Sequence, residues 1–370
     1  MDLVHDSARQ VQLLSELLFS PRQSGSCRDN ESLPLARELA PALGEVELGA
    51  IERLASSNHV LVRGFLALRD VLETAGNAAG VEWINESIHR EQLRIDHALS
   101  YLSAICETLA QRGCQVTVIK SLDHLPDLGS DLDLYSDADP AAIIETMKQA
   151  FDATQADRSW GDRLANKWNF IVPGLPELVE IHVGRLGQTG EQTAAITQSV
   201  TGRAQVIETG EHHFRVAAAE DRIVISTLQR MYRHFYIRLC DVADNCRLLD
   251  DRRVDFEYLE LLGQNSGLWE GIATYLVIIS QYVEEYRKQG VPLPERVIRS
   301  AKFGTSQVHF RKDFLRVSIL PHSIKLYARE LKSFLMKGDL RNGLRLSLLP
   351  CLATAAALEQ KITGSDKGIW

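Results

Sequence analysis

The stretch Asp131-Leu132-Asp133-Leu134 alternates polar and apolar residues with a period of two. Only an extended strand turns that pattern into two chemically different faces. Asp131 and Asp133 then point one way, and Leu132 and Leu134 point the other way, into a core. Two carboxylates so close repel each other unless a cation lies between them. Mg²⁺ suits such a pair, because it takes oxygen ligands and keeps waters and substrate phosphates in its shell. A β-branched run, Gln-Val-Thr-Val-Ile-Lys-Ser at 115–121, reads as a preceding strand. The Pro- and Gly-containing stretch 123–129 joins the two, and Gly129-Ser130 lets the backbone turn tightly and approach a ligand.

The rest of this central region, roughly 113–215, continues as α/β. Asp139-Pro140 opens a helix over 141–151, with proline in the first turn. The runs 168–172 and 178–183 flank Pro-Gly-Leu-Pro-Glu and read as a hairpin. In the second of them Glu180 and His182 share a face. The stretch around 213–217 reads as a further strand, and His212-His213, with no third ligand nearby, as a turn. The flanks differ in period. Roughly 1–112 and 216–370 carry apolar residues at helical spacing, including a long amphipathic helix that ends before Gly113 and a pattern running through 218–249. Residues 20–34 read as a loop. The expected class is therefore α/β (α+β), a mixed-sheet core at 113–215 between an N-terminal helical region, 1–112, and a C-terminal one, 216–370.

The chain is 370 residues long with a formal charge of −8, which gives no global attraction to nucleic acid or anionic membrane. Between Lys302 and Arg345, however, ten Lys and Arg stand against three acids. That segment is either a solvated helical face or a surface for RNA, phosphates or a protein. The six cysteines form no Cys-x-x-Cys pair, which argues against a zinc site or a disulfide framework and fits a cytoplasmic protein with reduced thiols. No signal peptide and no apolar run of membrane-spanning length is read.

Three motifs stand in order: Ile119-Lys120-Ser121, then Ser130-Asp131-Leu132-Asp133-Leu134, then Glu180-Ile181-His182. A later segment carries His234, Arg238 and Asp244, whose spacing puts His234 and Arg238 on one helix face. In these motifs the chain resembles the nucleotidyltransferase (polymerase beta-like) superfamily. Within it the likeness is to a bacterial family built as helical region, transferase core and helical tail. The family pattern is Leu-Lys-Gly, Gly-Asp-x-Asp with apolar alternation, and Asp-x-His. Ser121 here replaces the glycine, and Glu180 replaces the aspartate. The likeness spans roughly residues 90–295.

The resemblance implies transfer of a nucleoside monophosphate from an NTP, ATP foremost, to an unidentified small molecule, protein or RNA, with release of pyrophosphate. It implies Mg²⁺ or Mn²⁺ on Asp131, Asp133 and Glu180, which together could hold two ions and are the expected catalytic residues. Lys120, Ser121, Gly129, Ser130, His182 and Arg238 are the expected nucleotide-binding residues. Lys120 could equally pair with an acid at a strand end. Trp160 and Trp168 are each either base-stacking or core residues. The alternatives are a catalytically degenerate nucleotide-binding scaffold, a toxin–antitoxin or defence component of the same fold, and a glycosyltransferase that uses Asp-x-Asp for a nucleotide sugar.

Overall fold

The structure is a computed structural model that describes residues 6–21, 33–159, 162–163, 165–186, 194–311, 313–318, 324–340, 343–344 and 346–347. Its centre is a mixed sheet of seven strands: β1 (Val116–Val118), β2 (Asp131–Ser136), β3 (Thr154–Gln155), β4 (Lys167–Ile171), β5 (Leu178–Val183), β6 (Gln205–Thr209) and β7 (His212–Val216). Their order across the sheet is β3-β4-β5-β2-β1-β7-β6. The expected α/β class is what the chain adopts, with helices on either side of the sheet strands in sequence.

The pairings fix which side chains meet. β2 runs parallel to β5 with Asp133 opposite Glu180 and Tyr135 opposite His182. β4 and β5 form the expected antiparallel hairpin, with Lys167 opposite His182 and Asn169 opposite Glu180. β1 is antiparallel to β2 and parallel to β7. On the apolar face Leu132, Leu134, Val179 and Ile181 are fully buried. Each contributes about 1.5–3 kcal/mol of burial. A one-residue slip of β2 would turn both leucines to the polar face and drive both aspartates into the apolar core, so the register is strongly specified.

Helical period in the flanks produces helices. Leu61–Ala75 buries Leu61, Val62, Phe65, Leu68, Val71 and Leu72 and stops at the left-handed Gly76. Ala78–Gln111 is capped by Asn77, whose side chain accepts from the Gly80 N–H at 3.0 Å, and Gly113 comes after it at φ +80°. Asp139 caps the helix Pro140–Phe151 through the Ala141 N–H at 3.1 Å. Helices Ser7–Phe19 and Trp269–Arg287, from opposite ends of the chain, meet through Ser15 and Tyr282, whose hydroxyls are 2.7 Å apart. One hydrophobic core runs through all three regions.

Three expectations are corrected. His212 and His213 open β7 and pair with Thr209 and Glu208; the turn is the residue pair before them, with Gly210 at φ +59°. The helical pattern over 218–249 is broken. A helix, Ala219–Thr227, passes into a π-helical turn, Leu228–Arg233, then a two-residue strand β8 (Tyr236–Ile237), then the helix Leu239–Asp250. Third, β8 pairs with β10 (Phe314–Val317), which pairs with β9 (Val308–Arg311), giving a second, three-stranded sheet in a region whose sequence reads as helical. These strands are two to four residues long, too short for a period of two to stand out from its surroundings.

Candidate active site

The polar face of β2 and β5 opens into a cleft of about 320 Å³. Asp131, Asp133, Glu180 and His182 line its floor, with Lys120 before β2 and Lys167 on β4. The opposite wall comes from the π-helical turn and the segment after it, through Arg230, Arg233, His234, Tyr236 and Arg238. π-Turns insert one extra residue and re-aim side chains, and they recur at functional sites. His234 and Arg238 both reach this cleft, but not from one helix face. Phe235 lies between them at φ +54°, and Arg238 precedes the next helix as its cap.

The floor is dense in charge. Lys120 Nζ is 2.6 Å from Asp133 Oδ1. Lys167 Nζ is 2.9 Å from both oxygens of Glu180 and 3.1 Å from Asp162 Oδ1. His182 Nε2 lies 3.6 Å from Asp133 Oδ1, too long for a hydrogen bond. Burial and the neighbouring Asp133 raise the Asp131 pKa. Burial and Asp133 likewise raise Glu180 against the pull of Lys167. For Asp133 burial acts upward too, but the Lys120 ammonium outweighs it and holds the carboxyl below the usual range. Burial lowers His182, leaving a neutral imidazole. Burial foremost, and then the charges of Arg230, Lys120, Arg238 and Arg233, lower His234 to about 3.

Ligand atoms of Asp133, Glu180 and His182 all lie within 4.8 Å of one another. Both ring nitrogens of His182 are buried without a hydrogen-bond partner among the described residues. Buried polar atoms left open in this way mark a place for a ligand. The carboxylates suit Mg²⁺ or Mn²⁺, and the imidazole shifts the preference toward a transition ion. The residues present therefore fit a divalent ion.

Ser121 is buried, and its hydroxyl donates to the Asp131 carbonyl at 3.1 Å and accepts from the Asp133 N–H at 2.8 Å. It thus clamps the start of β2. Gly129 has no left-handed φ, and a Cβ on it would meet only the His59 ring at 3.5 Å, an ordinary contact. Ser130 is exposed at the cleft rim. Arg238 has aromatic neighbours, Tyr236 and Phe314, each 5.7 Å from its guanidinium carbon. Trp168 pairs with Ile181, so it stands on the apolar face, with Arg158 3.8 Å over its ring, and does not reach the cleft. Trp160 lies outside the described residues.

Sequence reasoning misses Lys167 and Asp162, and also His59, Arg63, His124 and Asp127. Lys167 has a usable signal: it sits two residues before Asn169 on the strand that pairs with Glu180, so strand alternation gives it the same face. The others come from distant segments. Arg63 donates to Asp127 at 2.8 Å and to Asp244 at 2.7 Å. Asp244 in turn lies 2.5 Å from His124 Nδ1. His124 stacks on His59 at a centroid distance of 5.6 Å. Ligand atoms of His124, Cys240 and Asp244 also lie within 4.8 Å of one another. Asp244 is already neutralised by Arg63, so this cluster is a buried ion network at the cleft wall.

In the basic segment, Arg311 is exposed at the end of β9, and Arg316 lies 4.9 Å from the Tyr236 ring. Arg329 pairs with Glu270, and Lys337 donates to the Asn265 carbonyl. Lys312, Arg341 and Arg345 lie outside the described residues. No helix among the described residues is long and apolar enough to cross a membrane. No family model matches the chain, and neither a curated protein nor a solved structure matches it.

Proposed function

We propose that this protein is a metal-dependent nucleotidyltransferase that moves a nucleoside monophosphate from an NTP to an acceptor and releases pyrophosphate. The observation that carries the reading is the placement of Asp131 and Asp133 beside Glu180 and His182 on adjacent parallel strands, facing a cationic wall across one cleft. Catalysis of this kind is mostly positioning and charge neutralisation. Asp131, Asp133 and His182 are the residues that would hold the divalent ion. When bound, such an ion neutralises triphosphate charge and polarises the phosphoryl group under attack.

The chain's own groups supply the rest. Arg238 and Lys120 offer donors to phosphate oxygens, and Arg233 adds to the positive charge of that wall, while Arg230 is balanced by Asp241 at 2.7 Å. His234, neutral in this surrounding, can donate or accept one hydrogen bond there. Glu180, made more basic by burial and by Asp133, is the group suited to take the proton of an acceptor hydroxyl. Ser121 holds the two aspartates in register. Arg316 of the basic segment lies beside Tyr236, a residue of the cleft wall, which favours an acceptor or partner that carries negative charge, RNA among them.

A second reading is a nucleotide-binding scaffold without turnover, including a toxin–antitoxin or defence role. The ion pairs of Lys120 on Asp133 and Lys167 on Glu180 favour it, because they neutralise the carboxylates without any metal.

The test is calorimetric titration of ATP, GTP, CTP, UTP and a UDP-sugar, with Mg²⁺ or Mn²⁺ and then with EDTA, followed by a pyrophosphate assay. Metal-dependent NTP binding that is lost in Asp133→Asn is the expected result. Binding without pyrophosphate release over a panel of acceptors moves the protein to the scaffold reading. Preference for the UDP-sugar, or no nucleotide binding at all, defeats both.

A further inference from the structure

We propose that Lys167 stands in for a second divalent ion, so that this site takes one ion, held by Asp131, Asp133 and His182, where three strand carboxylates would otherwise hold two. The inference rests on the transferase reading and adds to it the ion count and the residue that sets it.

Two-ion sites use the third carboxylate to complete the second ion's shell. Here that carboxylate is Glu180, and both of its oxygens are 2.9 Å from the Lys167 ammonium. The same nitrogen is 3.1 Å from Asp162 Oδ1. An ammonium has three N–H donors, and these contacts take up all of them. Asp162 is itself fixed, since Ser159 donates to its Oδ2 from both the backbone N–H, at 2.9 Å, and the hydroxyl, at 2.7 Å. Lys167 is anchored by strand register, opposite His182 on β4, rather than carried on a loop. A second divalent ion on Glu180 would share that carboxylate, both of whose oxygens are engaged, with the ammonium at close range, and the two cations would repel. Lys120 makes its contact with Asp133 at Oδ1, 2.6 Å away, and Oδ2 is the oxygen left for the retained ion.

Charge on the floor leads to the same count. Asp131, Asp133, Glu180 and Asp162 supply four carboxylates, and Lys120 and Lys167 supply two ammonium groups. Two negative charges are left, which one divalent ion balances. The carboxylate that remains open is Asp131, whose side chain has no hydrogen bond or ion pair among the described residues and which lines the cleft next to Asp133.

The experiment counts Mn²⁺ bound to the full chain by the loss of the free-ion electron paramagnetic resonance signal, without ATP and with it, the ATP samples being read against the same ATP and Mn²⁺ without protein. One ion per chain is expected in the parent. Lys167→Met should bind two, the second should disappear in Lys167→Met/Glu180→Gln, and Lys167→Arg should return to one. Lys167→Gln serves if Lys167→Met does not fold by circular dichroism. Two ions in the parent overturn the inference and leave the transferase reading standing. One ion in a folded Lys167→Met or Lys167→Gln also overturns it. No bound ion in the parent, even with ATP, overturns both.

Discussion

Arg63 donates through Nη1 to Asp244 Oδ1 at 2.7 Å, and so ties the helix Leu61–Ala75 to the helix Leu239–Asp250 at the cleft wall. The same guanidinium donates through Nε to Asp127 Oδ2 at 2.8 Å. One side chain therefore joins the N-terminal helices, the loop before β2 and the C-terminal helices. Burial acts to raise the Asp244 pKa, but Arg63 and His124 outweigh it and hold it below the usual carboxylate range.

Arg63→Ala is expected to destabilise the fold by about 3–5 kcal/mol, because it leaves buried Asp127 without its cation and Asp244 with His124 alone. Urea denaturation at neutral pH measures this. A loss under about 1 kcal/mol would show that the pair is solvent-screened and not a structural tie.

Ser121→Gly restores the small residue that the resemblance expects, yet it removes both hydroxyl contacts to β2. Loss of a buried hydrogen bond costs about 1–3 kcal/mol. The expected outcome is a lower melting temperature together with weaker NTP binding, since Asp131 and Asp133 lose their clamp. Tighter NTP binding with unchanged stability would instead show that the turn itself meets the phosphates.

What is legible in the sequence is what period encodes. Leu132 and Leu134 fix β2, Gly113 and Asp139-Pro140 mark helix ends, and alternation in the hairpin places Glu180 and His182. The cationic wall is only partly legible. His234 and Arg238 stand out, but the π-helical turn and the left-handed Phe235 break the helix between them. Neither has a sequence signal, because the apolar spacing of 218–249 continues through them without a helix breaker. The Arg63–Asp127–Asp244 network joins residues far apart in the chain, and nothing local in the sequence relates them.

Gly129→Ala is expected to be neutral, within about 0.5 kcal/mol, since surrounding space and backbone both accept a Cβ. Thermal melting and NTP titration of the variant check it. A sharp loss of NTP affinity with an unchanged melting temperature would show that a ligand approaches the backbone there, the role that the Gly129-Ser130 pair suggests.

Glu330, on the helix Ile324–Met336, is fully buried, and neither carboxylate oxygen has a hydrogen-bond partner among the described residues. Arg233 and Tyr232 face it from the π-helical turn. Burial, opposed by Arg233, pushes its pKa from 4.5 up to about 7. The folded state then keeps a proton that the unfolded chain gives up. Stability is fully present below pH 4.5, falls as pH rises toward 7, and stays reduced above that. Glu330→Gln removes the titration, so parent and variant should differ most in alkaline solution, with the variant more stable by up to about 3 kcal/mol. The two stability curves should draw together as pH falls through the interval. Denaturant melts across that range decide the matter. A variant less stable than the parent at alkaline pH would show that Glu330 is ionised and paired with Arg233.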